Sequence, residues 1–298
     1  MRFALAWACA LLLPMFVTLE GTAQQDPQSS IFTLAPLPFN PAYAGLSGQT
    51  NVRSISRLQW VGWGGAPTTH VLTYDAPFFR NFAGLGGTLI QDNVGARTQT
   101  SLMMSGAAHV QVGPRSTLSF GLNGGFRFNT YDFNNLAVVD PNDIRYSTTF
   151  QDWTPNVGAG LYVTTEMLFV GYSVPHLLLE DLSPEPGDDV LRRHHYAMAG
   201  CKVRDMRFTA LFKKVRNAPG ALDLTAIWEM SQRFSMGGLW RSGEALGLLM
   251  QFELSSHLSG VYCIEVPYNG LGSQTWGTHE LGLIWSPSQK SVTNPRYF

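Results

Sequence analysis

The chain has 298 residues, of which 45% are hydrophobic and only 14% charged, whereas a soluble globular domain carries roughly a quarter of its residues charged. Beyond the extreme N-terminus no segment supplies the ~20 consecutive apolar residues of a spanning helix, so a helical membrane protein is excluded. A net charge of -1 with dispersed lysines and arginines argues against a nucleic-acid partner, and the many apolar and aromatic residues exclude intrinsic disorder.

Residues 1–23 read as a secretory signal peptide: Arg2 is the charged start, an apolar run extends from Phe3 to about Val17, and the small residues Gly21 and Ala23 precede Gln24. Cys9 lies inside the apolar run and not at its end, which argues against a lipoprotein. Cys201 and Cys263 then remain, too few for a disulfide framework and without metal-ligand spacing. They read as two unpaired side chains on strands. Residues 24–48 contain Pro27, Pro36, Pro38 and Pro41, which interrupt regular strands and predict an extended N-terminal arm that packs on the following domain or plugs it.

From 49 to 298 the chain reads as one β domain. Candidate strands fall near 51–63, 68–77, 83–93, 99–112, 116–129, 155–165, 167–174, 194–204, 206–215, 221–231, 233–241, 244–254, 257–266 and 277–286. Period-two alternation marks them. Between Thr117 and Asn129, Leu118, Phe120, Leu122, Phe126 and Phe128 share one face, and Thr117, Ser119, Asn123, Arg127 and Asn129 the other. Leu246, Leu248, Met250, Phe252 and Leu254 alternate with Gly247, Leu249, Gln251 and Glu253. Leu222, Leu224, Ala226 and Trp228 alternate with Asp223, Thr225 and Glu229. Segments of ~10 residues suit tilted membrane-spanning strands better than the shorter strands of soluble proteins. Tight turns at 113–115, 218–220 and 242–243 coexist with long polar connections at 130–154 and 175–193. Aromatics such as Trp63, Tyr74, Phe78, Tyr172, Trp228, Trp240, Trp276 and Trp285 fall near strand ends, where interfacial girdles sit.

In hydrocarbon every backbone N–H and C=O must pair internally, and a closed sheet leaves no edge. The fold class expected is therefore all-β: a transmembrane antiparallel β-barrel of about 14 strands, within 12 to 16, with an extended N-terminal arm. A secreted β-sandwich or β-helix is the soluble alternative, disfavoured by strand length and low charge.

Five stretches carry a likeness: Q-Q-D-P-Q at 24–28, N-P-A-Y-A-G at 40–45, R-L-Q-W-V-G-W-G-G-A-P at 57–67, G-L-G-G-T-L-I-Q-D-N-V-G at 84–95 and N-P-R-Y-F at 294–298. In this order and spacing the chain resembles the PorP/SprF family of outer-membrane proteins over nearly its whole mature length. The resemblance implies a barrel of the type IX secretion and gliding-motility apparatus in a Gram-negative outer membrane. Implied partners are outer-membrane lipid and either periplasmic ring or motor proteins or the C-terminal domain of a secreted adhesin. It implies no catalytic residue and no cofactor.

The residues themselves allow the following readings. Asn40, Pro41, Tyr43 and Gly45 combine a turn former, a fixed φ and an aromatic handle, as a partner-docking or plug element at the periplasmic mouth would, or as an arm that merely fills the lumen. Arg53 and Arg57 share a strand face with Gln59, opposite Val52, Leu58 and Trp60. They should point into the lumen, where Asp92 or Glu229 could pair with them in a polar network, a structural role preferred to a substrate filter. Gly84, Gly86 and Gly87 mark a strand kink or a close approach of the plug backbone. Adjacent His194 and His195 would face opposite ways and cannot chelate one metal. No G-x-S-x-G elbow is present, and the acidic loop from Glu180 to Asp189 lacks a calcium-loop pattern. Phe298 resembles the terminal aromatic of assembled barrels, but Pro295 breaks the alternation there, so 286–298 reads as a short tail. Three classes remain: an adaptor barrel, a diffusion channel or small-solute transporter, and a lipid-modifying barrel enzyme, in that order.

Overall fold

The computed structural model describes residues 29–79, 81–132, 150–178, 180–181, 190–191, 193–215, 218–270 and 272–287. The expected signal peptide at 1–23, residues 24–28, most of the acidic loop and residues 294–298 lie outside the described residues.

Fourteen antiparallel strands close into a barrel. They are β1 (Asn51–Leu58), β2 (Thr68–Phe78), β3 (Ala83–Val94), β4 (Arg97–Gly113), β5 (Ser116–Tyr131), β6 (Phe150–Thr164) and β7 (Leu168–Val174), followed by β10 (His194–Val203), β11 (Met206–Val215), β12 (Ala221–Glu229), β13 (Phe234–Arg241), β14 (Ala245–Glu253), β15 (Leu258–Pro267) and β16 (Thr278–Trp285). The short strands β8 (Glu180–Asp181) and β9 (Val190–Leu191) pair only with each other. Each barrel strand pairs with its neighbour in the chain, and β1 meets β16 from Val52 opposite Trp285 to Leu58 opposite His279. Among the described residues the barrel sheet therefore has no edge strand.

The alternation explains why this sheet closes in lipid. Leu118, Phe120, Leu122, Phe126 and Phe128 of β5 are exposed on the outer wall, while Thr117, Ser119, Arg127 and Asn129 are buried in the lumen. The same division runs around the ring. Exposed leucines, valines and aromatics cover the outside, and buried side chains include Arg53, Arg57, Asp75, Asp92, Arg127, Lys213, Asp223, Arg241, Glu265 and Glu280. Such an inside-out distribution is stable only where hydrocarbon replaces water on the outer face.

The two mouths differ. Where β1 begins and β16 ends, the six connections (79–82, 114–115, 165–167, 204–205, 230–233 and 254–257) span two to four residues. The opposite mouth carries the long connections 59–67, 132–149, 175–193 and 268–277 beside the short ones 95–96, 216–220 and 242–244. Two of these loops lean on one another, with Val61 N–H donating to the Gly277 carbonyl and Trp276 N–H to the Val61 carbonyl, both at 2.8 Å. Wall height also varies, from 15 to 17 residues in β4, β5 and β6 to eight in β1, β13 and β16 and seven in β7.

Candidate functional site

Residues 29–48 lie inside the barrel. Ser30 sits beside Glu280 and Arg57, near the long-loop ends of β16 and β1; Gly45 sits against Ala76 and Gly84, near the short-turn ends of β2 and β3. The segment thus descends through the lumen before entering β1. Its proline spacing keeps it from forming a strand, and its backbone groups are satisfied by successive tight turns. Leu34 N–H donates to the Ile31 carbonyl at 2.9 Å, Phe39 N–H to Pro36 at 3.0 Å, Tyr43 N–H to Asn40 at 3.1 Å and Leu46 N–H to Tyr43 at 3.0 Å. A buried backbone needs that internal accounting.

Asn40 caps the 3-10 turn Pro41–Tyr43. Its Oδ1 accepts from Ala42 N–H at 3.0 Å, and its Nδ2 donates to the Leu161 carbonyl on β6 at 3.0 Å. Pro41 occupies the first position of the turn, where a missing N–H costs nothing. Tyr43 packs edge-on against Tyr162 at 5.9 Å, with the Arg53 guanidinium 5.9 Å from its ring centroid. Gly45 has φ +65, and an added Cβ would lie 2.5 Å from the Ala76 carbonyl oxygen, so both its conformation and its contact require glycine.

On one side of the lumen the arm rests where the wall lacks side chains. A methyl added to Gly84 would overlap the Ala44 carbonyl, one on Gly121 the Ala42 amide, and one on Gly160 the Asn40 carboxamide oxygen. Gly171 faces the Asn40 nitrogen and Gly86 faces Leu37. Gly87, by contrast, lies by Met104 on the other face. Around these seats Phe32, Phe39, Ala42, Tyr43 and Leu46 pack with Tyr162, Phe169, Tyr196 and Met198. Burial of each large apolar side chain contributes about 1.5–3 kcal/mol. His109 on β4 bridges Ser119 and the Ala44 carbonyl, at 2.8 and 3.0 Å. With Nε2–H donating to Ala44, Nδ1 accepts the Ser119 hydroxyl.

On the other side the arm meets an ion cluster. Lys213 pairs with Asp223 at 2.8 Å, Asp223 with Arg241 at 3.3 Å, Arg241 with Glu265 at 3.1 Å, Glu265 with Arg57 at 3.0 Å, and Arg57 with Glu280. Three cations thus alternate with three carboxylates, and a fourth carboxylate, the more exposed Glu244, lies 3.7 Å from Arg241. Glu280 also accepts from the N–H groups of Ser30 and Ile31, at 2.8 and 3.2 Å, and Arg57 donates to Ser30 Oγ at 2.8 Å. The cluster therefore fixes the arm's start through charge-assisted hydrogen bonds.

Arg53 and Arg57 are in the lumen, but their carboxylate partners are not those suggested by sequence. Arg53 pairs with Asp75. Asp92 instead accepts from Thr69 Oγ1 at 2.6 Å and lies 3.7 Å from Arg97, while Glu229 pairs with Lys202 at 2.7 Å and Arg207 at 3.0 Å. Gln59 falls past the end of β1, its N–H on the Pro67 carbonyl at 3.0 Å, and joins no part of the ion cluster. Sequence reasoning did not single out Ser30, Asp75, Lys213, Arg241, Glu265 or Glu280; for those on strands the available signal was a charged residue at a lumen-facing parity. Neither Cys201 nor Cys263 forms a disulfide among the described residues. His194 is buried in the lumen and His195 faces outward. Among the described residues no group of three His, Cys, Asp or Glu is placed to hold a metal ion. A space of about 270 Å³ opens at the short-turn mouth beside Arg53, Lys202, Arg207 and Glu229.

Residues 21–285 match the family described as "Type IX secretion system membrane protein PorP/SprF". Among solved structures, the CymD monoaromatic hydrocarbon channel is similar with a TM-score of 0.53 at 9% identity, covering 87% of this chain and 91% of that one. A Pseudomonas aeruginosa FadL homologue gives 0.43 at 10% identity, covering 84% and 92%. At such identities the first likeness is one of fold. No curated protein matches the chain significantly.

Proposed function

This chain belongs to the PorP/SprF family of type IX secretion system membrane proteins, and from that membership we propose that it is a non-catalytic outer-membrane anchor which holds partner proteins of the apparatus at the periplasmic face. In this reading residues 1–23 are removed on export, residues 24–48 form the plug, and residues 49–298 form the barrel with its tail. The mouth with two-to-four-residue turns faces the periplasm, as short turns do in bacterial barrels. Asn40, Pro41, Tyr43 and Gly45 serve as the plug's seat, and Arg53 and Arg57 as structural lumen charges.

One observation carries the reading: the lumen is occupied from the ion cluster to the short-turn mouth by the chain's own residues 29–48. A filled barrel offers its mouths and turns for binding and no open path for solutes. The partners that suit it are periplasmic ring or motor proteins, or the C-terminal domain of a secreted adhesin. Deleting the gene should abolish type IX secretion or surface spreading while leaving small-solute uptake unchanged. A pull-down from detergent extract should recover periplasmic components of the apparatus. Intact export with altered uptake would favour the diffusion channel instead.

A further inference from the structure

Among the described residues of the fourteen strands, Lys214 is the single Lys, Arg, Asp or Glu whose side chain faces outward. Its neighbour Lys213 is buried on the lumen side against Asp223, as alternation requires. A cation on the lipid face is unfavourable in a depth-dependent way, tolerable near the interface and better when paired. Lys214 is one residue from the end of β11, at the long-loop rim.

It is not isolated there. His195, also outward, stands directly opposite Lys214 across the β10–β11 pair, and Arg193 precedes it by two residues on the same parity. Tyr172 Oη lies 2.7 Å from His195 Nδ1. With the hydroxyl as donor, His195 Nε2 carries the hydrogen and remains a donor. Arg193 Nε donates to the Leu177 carbonyl at 2.8 Å and Lys214 Nζ to the Ala218 carbonyl at 2.7 Å, so each keeps further N–H groups. No carboxylate pairs with any of the three among the described residues. Basic groups side by side on one face repel unless an anion lies between them.

We infer that Arg193, His195 and Lys214 form a binding site for the phosphate of an outer-leaflet glycolipid headgroup, with Tyr172 fixing the imidazole. The site rests on the proposed orientation, which puts the long-loop rim in the outer leaflet. A lipid fits better than a free anion because Tyr172, 48% exposed, presents an aromatic face at the same height, where an acyl chain continues from the headgroup.

The test uses the purified full-length chain in phosphatidylcholine nanodiscs doped with lipid A, released and weighed by native mass spectrometry. Bis-phosphorylated lipid A should be retained about tenfold over its dephosphorylated form. The triple variant R193A/H195A/K214A should lose that preference while keeping the barrel's gel-shift on heating, and Lys214→Arg should keep it. Equal retention of the two lipids, or a triple variant that discriminates like the parent, overturns the site. Displacement by millimolar inorganic phosphate overturns the lipid as ligand in favour of a free anion. Nanodiscs have no inside or outside, so this result is independent of orientation. Orientation is read separately, by impermeant maleimide labelling of Ser273→Cys on intact cells.

Discussion

The two sides of the lumen hold one arm by opposite means. Along β11 to β16 and β1 the wall presents paired charges, and the arm joins them through the Ser30 and Ile31 amides. Along β3, β5, β6 and β7 the wall presents glycines, and the arm backbone presses where side chains are missing. The charged side fixes position by direction, since a carboxylate accepts only from donors aimed at it. The glycine side fixes position by shape, since any added carbon collides. Together they define both the height and the depth at which residues 29–48 sit, which neither would do alone.

Each side can be broken separately. Glu280→Ala leaves Arg57 buried with one carboxylate fewer and removes the acceptor of two arm amides; it should cost about 3–5 kcal/mol, read as a lowered urea midpoint in detergent with protease cleavage inside residues 29–48. Gly121→Ala puts a methyl into the Ala42 amide and should cost about 1–3 kcal/mol, with the arm cleaved while the barrel stays resistant. Asn40→Ala strips the cap of the 3-10 turn and leaves the Leu161 carbonyl without its donor, at about 1–2 kcal/mol by the same assay. Gln59→Ala, beyond both sides, should stay within about 0.5 kcal/mol of the parent. If Glu280→Ala released no more of the arm than Gln59→Ala, the charged side would be irrelevant to docking.

Period-two alternation made the strands and their faces legible, because a membrane barrel imposes a single rule on every strand. The segment from Thr117 to Asn129 divides in the structure as its sequence divides. Strand ends were less legible. The first strand, expected to reach residue 63, stops at Leu58, since residues 59–67 turn back to close on Pro67. β6 starts at Phe150 and not near 155, because Pro155 reads as a strand start yet sits within the strand opposite Phe126. For the lumen, parity placed Arg53 and Arg57 inside but could not find their partners. Arg57 stands opposite Glu280 only because β1 closes on β16, a contact between residues 223 apart. The seats at Gly121, Gly160 and Gly171 escaped notice for the same reason: a lone glycine at a lumen position signals a close approach only once the approaching segment is known.

Ion conductance in planar bilayers tests the filled lumen most directly. The parent chain should give no steady conductance, and the chain lacking residues 29–48, once shown to keep its heat-modifiable gel-shift, should conduct steadily. A parent that conducts as well as the deletion would contradict a barrel closed by its own arm.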